Sequence, residues 1–387
     1  MVRLLTTLTR APREALPEFV GTVHDLSRTT PTPGRTFVHE LIRDFQVRKE
    51  IVDVSSVTRA TADEVGTRWT LVGVPSSAGG HTPGMDLGPA AIREAGLARL
   101  LRAAGDEVVD GGDVRGFRRR PDPAHLDRQS IQEVARVADE TATAVASVLA
   151  AGRVPLVLGG DCTVTVGVVA GFRRAGHETA LMYVDGGPDL YTPGLIEYGN
   201  VDAMGVAHML ALPGSDEVLT TIEGSPPLLR PDQIVSYGDA LPEENGDLEL
   251  ALLHELGIVR IPARCVHDDP DAPALAIQAI ASAGLRFVVH VDVDVLAHYQ
   301  MPLANMPNPD SEPWGLTIDE LVEALRAFTT DDRFAGLVLT EVNPGNAPDV
   351  TALDDYVQMI VAGVGRAGRV SSRSGHTPRA PHDDSVR

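Results

Sequence analysis

From Trp69 onward, short apolar runs alternate along the chain with longer amphipathic stretches. The runs WTLVGVP (69–75), EVVDGGD (107–113), VPLVLGG (154–160), TALMYVD (179–185), QIVSYGD (233–239), FVVHVDVDVL (287–296) and GLVLTEV (336–342) read as strands. Helices are expected over 88–105, 131–151, 163–175, 247–256, 271–284, 317–328 and 353–364. The first of these has Pro89 in its opening turn and Gly105 at its end. Strands alternating with helices predict an α/β fold, a parallel β-sheet covered by helices on both faces.

The two ends of the chain lack this alternation. Residues 1–65 contain a Pro/Thr/Gly breaker cluster, TTPTPGR (29–35), and a stretch at 36–52 that suits one amphipathic helix. They are read as an N-terminal extension whose role the sequence does not disclose. Residues 66–366 form the expected α/β domain, and the polar segment 367–387 is expected to be a disordered tail.

Polar residues gather where the strands end. In FVVHVDVDVL, His290, Asp292 and Asp294 alternate with valines and are expected to share one strand face. Same-face neighbours lie roughly 7 Å apart, which lets two carboxylates lean toward one cation. Two solvated aspartates at a strand end would give the same local pattern. Further polar clusters follow three other strands, at Gly159–Thr163, Asp185–Asp189 and Glu341–Pro344. Ligands of parallel α/β sheets bind beyond the carboxyl ends of the strands. Carboxylates or a thiol delivered there from four strands favour a cation site over solvated termini.

Composition narrows the function. The chain has 387 residues, 43% of them hydrophobic, and no run near the ~20 apolar residues of a membrane helix. The apolar stretch near the N-terminus is short and interrupted by charge, unlike a signal peptide, so a cytoplasmic location is expected. Two cysteines, Cys162 and Cys265, provide no disulfide framework. Asp plus Glu outnumber Lys plus Arg by 54 to 33, a net charge of −21. That excess disfavours nucleic acid and anionic membrane as partners and suits a cationic small molecule.

Five motifs in order resemble the ureohydrolase family, which includes arginase and agmatinase. GVPSSAGGHTPGMDLGPAAIREAGL (73–97) is similar to the family's opening strand, loop and helix. GGDCT (159–163) stands in place of Gly-Gly-Asp-His-Ser, and VDGGPDLYTP (184–193) in place of Asp-Ala-His-x-Asp. HVDVDVLAH (290–298) corresponds to Ser-x-Asp-x-Asp-x-x-Asp-Pro, and TEVNP (340–344) to Glu-Val-Asn-Pro. The resemblance implies a three-layer α/β/α fold, most often with two Mn²⁺ ions, and hydrolysis of a guanidino C–N bond by a metal-activated hydroxide. Carried over by position, the metal ligands would be Cys162, Asp185, Asp189, Asp292 and Asp294. Glu341 would pair with the substrate guanidinium, and the family's proton-shuttling histidine falls at Asp202. Trimers or hexamers are the assemblies the resemblance implies.

The departures have chemical content. A ligand histidine of the second metal is Gly187 here, and Asp-Pro has become Ala297-His298. Cys162 replaces a histidine and moves preference toward Zn²⁺ or Fe²⁺. Asp202 can carry a proton at neutral pH only if its pKa is strongly raised. His290 is expected to support a ligand or to be one. His208, His298 and His81 are candidates to replace the missing imidazole, with surface placement as the alternative. Asp161 is expected to cap the following helix or brace its loop. Two readings stand at this point. One is a hydrolase of a guanidino or modified guanidino compound. The other is a catalytically degenerate member that binds or regulates a partner.

Overall fold

The computed structural model describes residues 66–365, except Glu197, 242–247 and 307–314. The expected N-terminal extension and polar tail lie outside the described residues. Among the described residues, eight strands form one parallel sheet: β1 (Arg68–Gly73), β2 (Glu107–Asp113), β3 (Val154–Leu158), β4 (Thr179–Val184), β5 (Ile234–Tyr237), β6 (Val259–Ile261), β7 (Arg286–Asp292) and β8 (Phe334–Thr340). Their order across the sheet is β2-β1-β3-β8-β7-β4-β5-β6. All the pairings are parallel, as the alternating pattern predicts.

Strand side chains alternate between two apolar layers. In β7, Phe287, Val289 and Val291 join the layer that includes Leu97, Leu325 and Ile360, while Val288 joins the layer that includes Val137, Val145 and Phe172. The first layer is formed with helices α1 (Gly88–Glu94), α2 (Leu97–Ala103), α9 (Ala272–Ala281), α10 (Ile318–Thr330) and α11 (Ala352–Val364). The second is formed with α3 (Ile131–Ala150), α4 (Val164–Arg174), α5 (Gly205–Leu210), α6 (Glu217–Thr220) and α7 (Leu248–Leu256); α8 (Ala263–Asp268) follows β6. Every residue of β4 and β8 is buried, as strands covered on both faces must be. Helix α3 buries Val134, Val137, Ala138, Thr141, Ala142, Val145 and Val148, the spacing of one helical stripe. Helix α10 begins at a capping box, with Thr317 accepting from the Glu320 amide and Glu320 reaching back to the Thr317 amide.

Two expectations need correction here. The helix expected over 88–105 is two helices, because Gly96 adopts φ 90 between them. The strand expected to run through Leu296 stops at Asp292, and a 3-10 turn, Val293–Val295, follows. Asp292 terminates the strand by accepting the Asp294 amide at Oδ1, 2.7 Å away.

Strands β3 and β4 are consecutive in the sequence, yet β8 and β7 lie between them in the sheet. The connections therefore diverge at the carboxyl ends of these four central strands, where a parallel sheet opens a crevice.

Candidate active site

Each central strand ends in a short polar segment, and the four segments meet. After β3 the chain makes the turn Gly159–Thr163. A Cβ on Gly160 would lie 1.6 Å from the Ser76 carbonyl oxygen, so only glycine lets the two backbones pass. Asp161 holds this turn rather than lining the pocket. Its Oδ2 accepts the Gly79 amide at 3.0 Å, and its Oδ1 accepts the Thr163 amide and hydroxyl. The turn delivers Cys162, which is buried. Its thiol donates to Asp292 Oδ2 at 2.8 Å and lies 3.8 Å from Asp185 Oδ2.

Strand β7 contributes His290 and Asp292 on one face, as the alternation predicts, both buried. His290 Nε2 is 3.2 Å from Asp185 Oδ2 and 3.6 Å from Cys162 Sγ, while Nδ1 is 2.7 Å from Thr165 Oγ1. Its ring stacks on Tyr183 of the adjacent β4, with centroids 4.2 Å apart. Asp294, although off the strand, still lines the pocket, and its Oδ1 accepts the Gly186 amide at 3.0 Å. From β4, Asp185 accepts the Gly187 amide at 2.8 Å, and Asp189 accepts the Tyr183 hydroxyl. Glu341 follows β8 directly. Glu341 and Asp189 both adopt left-handed backbone angles, φ 61 and φ 51. That conformation is costly for residues with a side chain and is held here by tertiary structure.

These segments enclose a pocket of about 380 Å³ lined by Cys162, Asp185, Asp189, Asp202, Asp292, Asp294 and Glu341, the residues that the family resemblance carries over as metal ligands and catalytic groups; His290 is not part of the lining. Glu249, from α7, joins them and was not singled out by the sequence. It looks like an ordinary surface carboxylate of a helix until tertiary structure buries it against the Leu190 amide. His81 faces the pocket. His208 does not: it is buried and fully engaged, with Nδ1 on the Met204 carbonyl and Nε2 accepting the Asp216 amide. His298 is likewise absent from the lining.

Seven of the lining residues are carboxylic acids, and the described lining contains no Lys or Arg. Two like charges about 4 Å apart repel by roughly 4 kcal/mol at an effective dielectric constant of ~20. The net stability of a whole domain is only about 5–15 kcal/mol. Without a cation, full ionisation of this set is therefore excluded, and the individual groups respond accordingly. Burial pushes Asp185 up to about 7. Burial, together with the Asp185 charge, does the same to Asp294. Burial and the neighbouring Asp161 push Asp202 up to about 8. Asp189, Asp292 and Glu341 also lie well above the usual carboxylate range, from burial and then from the charges of neighbouring carboxylates: Asp185 for Asp189, Asp294 for Asp292 and Asp202 for Glu341. Burial and the Asp292 and Asp185 carboxylates raise the Cys162 thiol, whereas burial lowers His290 to about 3.

The donor set fits a divalent cation. Ligand atoms of Cys162, Asp185, His290 and Asp292 all lie within 4.8 Å of one another, as do those of Cys162, Asp202 and Glu341. Glu341 Oε1 is buried and has no hydrogen-bond partner among the described residues, an acceptor suited to a cationic ligand. Gly187 lines the pocket and brings no donor side chain to it.

The sequence profile of the Arginase family matches residues 67–355. An arginase of Brevibacillus brevis is 32% identical over 262 residues, covering 59% of this chain and 85% of that protein. The crystal structure of an arginase from Bacillus cereus superposes with a TM-score of 0.68 at 23% identity, over 77% of this chain and 98% of that one. Proclavaminate amidino hydrolase from Streptomyces clavuligerus superposes with a TM-score of 0.55 at 19% identity, over 78% of this chain and 93% of that one. The family profile thus spans the strands and turns that build the pocket, and the chain belongs to the arginase family of hydrolases.

Proposed function

We propose that the pocket binds a small linear guanidino or amidino compound and hydrolyses a C–N bond in it, with one or two divalent cations held by Cys162, Asp185, Asp189, Asp292 and Asp294. The observation that carries this reading is the ring of seven carboxyl groups with no cationic side chain among its described lining. A delocalised planar cation and a divalent metal are the two partners such a ring can accept. The matched arginase and the amidino hydrolase with the same fold support the substrate class. Mn²⁺ is the expectation from family resemblance, and Cys162 adds Zn²⁺ and Fe²⁺. When bound, a divalent cation acidifies water at neutral pH and offsets negative charge developing at the attacked carbon.

The protein's own residues supply the rest. Glu341 binds and orients the guanidinium through its carboxylate, a charge-assisted contact in a desolvated setting. Asp202 lies beside Glu341, with ligand atoms of the two within 4.8 Å, and its Oδ1 accepts the Cys162 amide at 2.7 Å. Burial and the neighbouring Asp161 favour the protonated form of Asp202, and a proton held there is placed to pass to the departing nitrogen. In the net reaction water adds hydroxyl to the central carbon and hydrogen to the amine that leaves.

The test is a panel of guanidino and amidino compounds offered to full-length protein reconstituted with Mn²⁺, Zn²⁺ or Fe²⁺. Release of urea, a substituted urea or an amide is expected, falling to background in Asp292→Ala. Gly187, which lacks a donor, favours the rival reading of a binding protein without catalysis. No turnover with any metal, or full turnover by Asp292→Ala, would decide against hydrolysis at this site.

A further inference from the structure

Two substitutions relative to the family's motifs meet in space. Position 162 holds cysteine where the family has histidine, and position 290 holds histidine where the motif has serine. They are 128 residues apart in the chain, one in the turn after β3 and the other in β7, with Nε2 of one 3.6 Å from Sγ of the other. We propose that His290 Nε2 is a metal ligand and that, with Cys162 Sγ, Asp185 and Asp292, it makes a mixed N/S/O₂ site selecting Zn²⁺ over Mn²⁺. The inference rests on the proposed metal-dependent reading and adds a ligand and a preference to it.

The spacing supports ligation. Zinc bond lengths of ~2.0–2.3 Å give tetrahedral edges of about 3.3–3.6 Å between donor atoms. The observed separations are 3.2 Å from Nε2 to Asp185 Oδ2, 3.6 Å from Nε2 to Sγ, and 3.8 Å from Sγ to Asp185 Oδ2. A fourth pair, Sγ to Asp292 Oδ2, is 2.8 Å apart and is the hydrogen bond of the thiol. The imidazole is also oriented as ligating rings are, with its far nitrogen bonded to Thr165 Oγ1 at 2.7 Å and its face against Tyr183. Independently, Glu341 Oε1 is buried beside this cluster without a hydrogen-bond partner among the described residues. Thiolate and imidazole suit zinc, whereas an all-carboxylate set suits manganese.

The rival role for His290 is to donate Nε2–H to Asp185 and take part in no ligation. X-ray absorption at the zinc edge of the unmutated, zinc-loaded protein separates the two without a variant. One sulfur and one imidazole in the first coordination sphere are expected, and sulfur without imidazole overturns the proposal. Competition titrations of Zn²⁺ and Mn²⁺ give the selectivity. His290→Ser should lower the zinc-to-manganese affinity ratio by at least the ~10–100-fold that even an outer partner of a ligand commands. His290→Gln retains a donor toward Asp185, so an unchanged ratio in that variant also overturns the proposal. If the unmutated protein binds neither metal, the metal-dependent reading itself falls. If it binds both metals and His290 is indifferent, only this inference does.

Discussion

Cys162, Asp185, His290 and Asp292 stand close to the sheet, whereas Asp189, Asp202, Asp294 and Glu341 form an arc around them on turns. In the first group His290 and Asp292 lie within β7, Asp185 directly follows β4, and Cys162 sits in a turn pinned by Asp161. All four are at most 4% exposed. In the second group Asp189 and Glu341 carry left-handed backbone angles, while Asp202 and Asp294 sit in 3-10 turns. The ladder of β4, β7 and β8 fixes the first group, with Tyr183 opposite His290 and Asp292 opposite Thr340. The arc depends on single hydrogen bonds across loops, such as Gly186 to Asp294 and Cys162 to Asp202. In the proposed site, rigid strand positions would set metal chemistry through the identity of a few donors. Turn positions can change substrate chemistry with less disturbance to the core.

The sharpest separation of the two groups comes from Glu341→Gln. The exchange keeps size and removes the charge from the arc, leaving the four donors near the sheet untouched. Losing one partner of a buried charge pair costs about 2–5 kcal/mol, so kcat/KM for a guanidino substrate should fall roughly 30-fold to several thousand-fold. Metal content, measured by elemental analysis, should remain that of the parent protein. Parallel loss of metal and activity would merge the two groups and remove the assignment of Glu341 to substrate.

Acid-base linkage gives a smaller effect that spans both groups. Asp185 and Asp294 are pushed to about 7 and Asp202 to about 8, all by burial first. An unfolded aspartate titrates near ~3.9. The metal-free folded state therefore holds more protons than the unfolded chain between those limits. Its stabilising contribution is complete below about 4 and is lost as pH rises through about 7 and then about 8. The slope is up to ~1.4 kcal/mol per pH unit for each group. Melting temperature of chelator-treated protein should decline from pH 5 to pH 8. Added divalent metal should reverse the trend, since ligand deprotonation favours binding as pH rises. A metal-free melting temperature that climbs over this range would contradict the raised carboxyl groups.

The same contrast explains what was legible in the sequence. Apolar runs ending in Asp185, Asp292 and Glu341 exposed both the strands and their chemistry, because buried carboxylates at strand ends are scarce without a purpose. Asp294 was placed on the wrong element, since the Asp292 side chain caps a turn that strand alternation cannot reveal. Strand β6 is three residues long, too short for periodicity to mark it. The break at Gly96 hides within a strongly helical composition. Glu249 enters the pocket only through packing of α7, and the roles of Tyr183 and Thr165 around His290 depend on contacts across the sheet and from α4. Residues that follow a strand directly were readable from the pattern, Asp202 only through the family resemblance, and Glu249, brought in by packing, was not.

The gentlest probe restores what the arc lacks. Gly187 lines the pocket, its φ lies outside the left-handed range, and a Cβ built there meets no atom within 4 Å. Its amide bond to Asp185 Oδ1 is independent of the side chain and survives substitution. Gly187→His therefore introduces an imidazole into open space without backbone strain. Its effect on stability should stay within about 1 kcal/mol, with any gain coming from the reduced freedom of the unfolded chain. If Asp294, together with Asp185 and Asp292, holds a second cation, as the family resemblance implies, the added imidazole should tighten that ion most. Metal titration would then show the weaker of two sites strengthened more than the stronger one. An equal shift in both would mean that the eight residues make one undivided site, and no shift in either would place position 187 outside it.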